Sequence, residues 1–164
     1  MKEITCSVLG FDAYQLPFGF NEEEENCISF KNDLKNKLTA LIENEHVTKF
    51  ISGITPGTDM YASEIILELK KTYPFLSLES VISFEEEAVK WSESFRNRYF
   101  SVLQGCSVET VLQKHFSSDC LCKKNSYIIN SSDIILSFTC KDSKHICISK
   151  NKDEFLLDNA LWAE

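Results

Sequence analysis

Apolar strand-like runs alternate with amphipathic helix-like segments along this chain, and that alternation limits its fold more than any other feature. Ile4–Leu9 reads as a short strand closed by Gly10. From about residue 24 to 45, Cys27, Phe30, Leu34, Leu38, Leu41 and Ile42 recur every three or four positions, the spacing of one helix face. The acidic run 22–25 stands at that helix's start, where carboxylates complement the helix dipole. Val47–Ser52 reads as a second strand. Met60, Ile65, Ile66 and Leu69 then give a second helix its buried stripe, ended by Tyr73-Pro74.

Residues 76–84 read as a third strand, and 84–103 as mostly helical with a break near 93–94. A fourth strand is expected at 108–113, a short helix at 121–131 and a fifth strand at 134–139. "HICISKN" follows after only "CKDSK", too short a link for a parallel crossover and the right length for a hairpin. The tail "DEFLLDNALWAE" reads as a short helix. The expectation is one α/β domain over residues 1–164. Its sheet is mostly parallel and flanked by helices, with a C-terminal antiparallel hairpin replacing the last crossover.

Composition narrows the function. The chain has 164 residues, 43% of them apolar, enough for a sizeable core. Its net charge of −8 argues against a general nucleic-acid binder, because neutralising phosphates needs Lys and Arg. Local basic spots such as Lys123-Lys124 do not change that balance. No apolar run approaches a membrane span, and "MKEITCSVLGF" turns polar too soon for a signal peptide, so a cytoplasmic protein is expected. The seven cysteines are irregularly spaced and read as reduced thiols. Cys120-Leu-Cys122 with His115 is the one grouping weighed as a metal site, and no metal is expected. No cofactor is expected either.

Chemistry concentrates in "ISGITPGTDMYASE", residues 51–64, which carries two of the chain's five glycines between a strand and a helix. In open parallel sheets, ligands sit beyond the carboxyl ends of the strands. A helix starting near residues 56–58 would aim free N–H groups at a ligand there, with Gly53 and Gly57 allowing close approach. Thr55-Pro56 is an acceptable cap and first-turn pair. The alternative is a tight turn with an ordinary cap. The stretch is neither a P-loop nor GxGxxG. Asp59 suits either a ribose hydroxyl or the start of the helix.

Four blocks, "LPFGF" (16–20), "FISGITPGTDMYASEIILELKKTYP" (50–74), "KWSESFRNRYFSVL" (90–103) and "CKKNSYIINSSDIILSF" (122–138), together resemble the SLOG superfamily of Rossmann-like proteins, in the branch typified by bacterial YspA/YpsA proteins. The resemblance implies a Rossmann-like sheet and a nucleotide or nucleotide-derived ligand. Relatives include sensor modules, DNA-binding members and phosphoribohydrolases. It implies ligand contacts at Gly10, Ser52, Gly53, Gly57, Thr58, Asp59, Arg98 and Asn125, with Glu64 as the catalytic candidate. Arg98 has an alternative reading as an ion-pair partner of Glu93 or Glu87, and Trp91 and Tyr99 as packing groups.

Two departures stand out. Phe11, Asp12 and Ala13 follow Gly10 where the family has a basic pair, and "CKDSKHICISKN" replaces a glycine-rich turn and helix. A sensor-type binding protein is therefore the first expectation. A phosphoribohydrolase-like enzyme or a non-binding interaction module are the alternatives, and a homo-oligomer is an expected assembly.

Overall fold

A computed structural model describes residues 2–10, 13–138 and 146–158. Six strands form one sheet: β1 (Ile4–Leu9), β2 (Val47–Ser52), β3 (Ser77–Ile82), β4 (Val108–Val111), β5 (Ile134–Phe138) and β6 (Ile146–Ser149). The helices are α1 (Glu25–Asn44), α2 (Thr58–Thr72), α3 (Glu93–Gly105), α4 (Cys120–Asn130) and α5 (Lys152–Asp158). The strand order is β4-β3-β2-β1-β5-β6. All pairings are parallel except the β5–β6 hairpin, where Phe138 stands opposite Ile146. The mostly parallel α/β sheet and its terminal hairpin are thus as expected. The "CKDSK" link, Phe11, Asp12 and the tail beyond 158 lie outside the described residues.

The order explains the layering. From β1 to β4 each strand is laid beside the last, and α1, α2 and α3 cover one face. After β4 the chain returns across the sheet to place β5 on the far side of β1, and α4 covers the other face. Strand alternation serves both layers. Cys6, Val8, Phe50, Leu78, Ile82 and Leu136 point into the larger core with Phe30, Leu34, Leu38 and Ile66. Leu9, Ile51, Val81 and Ile135 meet Ile128, Ile129 and Phe155 behind the sheet.

Two local expectations are corrected. The cap of α2 is Gly57, at φ 130°, and not the Thr55-Pro56 pair. That conformation strains any residue bearing a Cβ, so glycine there is a backbone requirement. Residues 84–91 are a series of turns and not a first helix; Glu87, Val89 and Trp91 donate their N–H groups three residues back. Ser92 Oγ then accepts from Phe95 N and starts α3 afresh. The turns form because the Glu87 carboxylate accepts the Ser83 N–H at 3.0 Å, folding the chain back on the end of β3.

Candidate functional site

The parallel strands all end at one edge, and the turns after β1, β2 and β3 meet there. The first turn of α2 is pressed against them. A Cβ on Gly10 would lie 1.6 Å from Thr58 Oγ1, and one on Gly53 would lie 2.8 Å from Asp59 Oδ2. Both glycines therefore admit side chains of α2 itself, and Thr58 and Asp59 are buried. Thr55 Oγ1 donates to Asp59 Oδ2 at 3.4 Å, and the Ala13 N–H donates to the Pro56 carbonyl. Ser52 is buried as well, its hydroxyl donating to the Gly53 carbonyl, which also accepts from Ser63 Oγ.

Beside this packed loop lies an open cleft of about 690 Å³, a volume suited to a small organic ligand. Thr55, Pro56, Ser83, Glu87, Ser117, Ser118 and Leu121 contribute to its lining. Aromatic rings make the walls: Phe20 with Phe95 at 5.7 Å between centroids, Phe84 with Phe116 at 5.6 Å, and Trp91. Tyr99 supports Trp91 edge-on at 5.5 Å from the core side.

One amine and one carboxyl group line the cleft. Lys124, 4% exposed, reaches from α4 toward the end of β2, where its Nζ lies 3.8 Å from Asp59 Oδ2. Among the described residues that ammonium is ion-paired with Asp59 and makes no hydrogen bond. Glu87, 8% exposed, keeps Oε1 without a hydrogen-bonding partner among the described residues. Burial pushes its carboxyl above the ordinary range and Asp59 adds to the rise, against Lys124 and both the N–H and the hydroxyl of Ser83.

The remaining candidates lie elsewhere. Glu64 on α2 and Arg98 on α3 meet outside the cleft. The Arg98 guanidinium is bidentate to both Glu64 (2.5 and 3.1 Å) and Glu22 (2.5 and 3.0 Å), which are its partners in place of Glu93 or Glu87. Lys31 also binds Glu22, at 2.6 Å. Burial opposes ionisation of Glu22, but Arg98 and Lys31 hold its carboxyl below the usual range. Arg98 braces the Phe95 wall from behind, 5.5 Å from its ring. Replacing Arg98 by Met is expected to cost roughly 1–2 kcal/mol, since the network is partly exposed, read as a lower melting temperature. An unchanged melt would mean that the pairs add nothing to stability.

Asn125 is buried on α4 and does not line the cleft. Cys120 lines it, its Sγ accepting from Ser117 N at 3.0 Å and Gln113 Nε2 at 3.1 Å. No cluster of three metal-ligating side chains forms among the described residues, and no helix there is long and apolar enough to cross a membrane.

Sequence reasoning passed over Lys124, Glu87, Phe84 and Phe116. For Lys124 a signal existed, because Cys120, Lys124 and Ile128 are spaced on one buried helical stripe. For Glu87 none did, since three consecutive glutamates, 85–87, look alike until the turn buries one of them.

The model of the YspA SLOG family matches residues 6–146. A "UPF0398 protein" of Brevibacillus brevis is 33% identical over 131 residues, covering 79% of this chain and 69% of the relative. One from Halalkalibacterium halodurans is 28% identical over 138 residues, 83% and 71% of the two chains. One from Bacillus pumilus is 30% identical over 133 residues, 80% and 70%.

Proposed function

The chain belongs to the YspA SLOG family, and from that premise we propose that it binds a nucleotide-derived ligand in the aromatic cleft. The base stacks against Trp91 and the paired phenylalanines, and the anionic part meets Lys124. One observation carries the reading: aromatic walls and an ammonium with no hydrogen bond to the described protein share one open cleft at the carboxyl edge of the sheet. The packed first turn of α2 modifies the expected phosphate loop. Asp59 already occupies the space facing Gly53, so the phosphate sits toward Lys124 and not deep within the loop.

Thermal melts and calorimetry with AMP, ADP, NAD and ADP-ribose test this. A ligand that binds only the folded state raises the melting temperature by mass action. Lys124→Met is expected to weaken the phosphorylated ligand by roughly 10- to 100-fold, the value of a charge-assisted contact. Trp91→Ala is expected to weaken phosphorylated and unphosphorylated forms alike, and melts without ligand check that both variants fold. No stabilisation by any of the four compounds would overturn the proposal in favour of an interaction module.

Glu87 favours a second reading, hydrolysis of the N-glycosidic bond, because it is a carboxylate that faces the cleft as Glu64 does not. Release of free base from AMP by the wild type, abolished in Glu87→Gln, would establish it. Intact AMP after prolonged incubation would remove it.

A further inference from the structure

We propose that a second copy of this chain docks on the groove beside α3 and β4, making a two-fold symmetric dimer. The groove holds about 410 Å³ and shares no lining residue with the aromatic cleft. Buried Ile82, Ala88 and Tyr99 line it together with Val89, Phe100 and Val111, which are 63, 60 and 43% exposed. Large apolar side chains left this open around one groove mark a contact surface. β4 contributes to the groove and ends the sheet, paired among the described residues with β3 alone. No proline, lysine or bulge guards its outer edge.

Charge selects the occupant. Arg96, Glu85 and Glu109 also line the groove. Arg96 donates through Nη1 to the Val89 and Trp91 carbonyls, and among the described residues none of the three forms an ion pair. A basic partner would satisfy the two carboxylates and leave Arg96 alone, and an acidic partner would do the reverse. A second copy brings a cation to the carboxylates and carboxylates to the cation, and two-fold symmetry makes each pairing twice. Shape agrees with charge. Phe100 stands exposed at the groove it helps to line, so each copy offers both a ring and a place to receive one, as an isologous contact requires.

Sedimentation equilibrium of the full chain without ligand tests the contact. The wild type is expected to show twice the 18.8 kDa chain mass at about 100 μM. Phe100→Asp is expected to weaken the dimer at least about tenfold, the loss of a central aromatic anchor, and circular dichroism checks that the variant folds. Arg96→Glu is expected to weaken it at least about tenfold as well, because like charges then meet. Adding Glu85→Lys and Glu109→Lys to Arg96→Glu is expected to restore the dimer to within about threefold of the wild type. That restoration separates pairing across the contact from the hold of Arg96 on the Val89 and Trp91 carbonyls, which a glutamate cannot replace.

A wild type that keeps the mass of one chain at about 100 μM would overturn the proposal. A dimer unmoved by Phe100→Asp, or a triple variant no tighter than Arg96→Glu alone, would overturn this groove as its contact. Either failure leaves the ligand reading standing, because the nucleotide melts probe a cleft with no residue in common with the groove.

Discussion

Gly10→Ala is expected to destabilise the protein by about 3 kcal/mol or more, at or beyond the upper end of what overpacking usually costs. The new methyl would fall 1.6 Å from Thr58 Oγ1 and 2.8 Å from both Asp59 Oδ1 and Thr58 Cβ. None of these is the loose end of a long side chain, so relief requires moving the first turn of α2. At this chain length the loss is read as a fall of roughly 6–12 °C in melting temperature. Gly19→Ala is the control. Gly19 sits at φ 54° with nothing within 4 Å of an added Cβ, so only the left-handed backbone penalises it, by about 1–2 kcal/mol. Equal losses in the two variants would mean that α2 does not seat as tightly on β1 as the geometry requires.

Glu79→Ala is the second large effect, at about 3 kcal/mol. Glu79 is on β3, 4% exposed, and binds three groups: Lys49 of β2 at 3.0 Å, Thr110 of β4 at 2.8 Å and Tyr127 of α4 at 2.5 Å. Removing the carboxylate leaves an ammonium and two hydroxyls without it on a covered sheet face. Burial opposes ionisation, but Tyr127, Lys49 and Thr110 together hold the carboxyl below its ordinary range. A depressed folded-state pKa gives stability that is fully present above the unfolded value, near pH 4.3, and lost as pH falls through the folded one. The gap between wild type and Glu79→Gln in chemical denaturation is therefore expected to be largest at neutral pH and to close in acid. A gap independent of pH would assign the effect to packing and not to charge.

The fold was largely legible because its signals are local. The stripe from Cys27 to Ile42 and the run Val47–Ser52 state their periods without reference to the rest of the chain, and both elements fall where those periods put them. The hairpin followed from link length alone, since nothing so short can carry a chain across a sheet. Residues 84–91 misled because their composition suits a helix, whereas one hydrogen bond from Ser83 N to Glu87 makes them turns.

The site was legible in outline only. The glycine-rich stretch 51–64 marks the right edge of the sheet, but which of its groups face outward is a matter of packing. Sequence determined the alternation of elements, the helix stripes, the need for a glycine between β2 and α2, and the family. Tertiary structure alone decided that Asp59 would fill the space opposite Gly53, that Arg98 would be held by Glu22 and Glu64, and that Lys124 and Glu87 would share a cleft with four phenylalanines and Trp91. The physical reason is range. Periodicity and capping act within a few residues, whereas the ionisation of Glu87 also responds to Asp59 and Lys124, groups 28 and 37 positions away that only the return of the chain across the sheet brings to the same place.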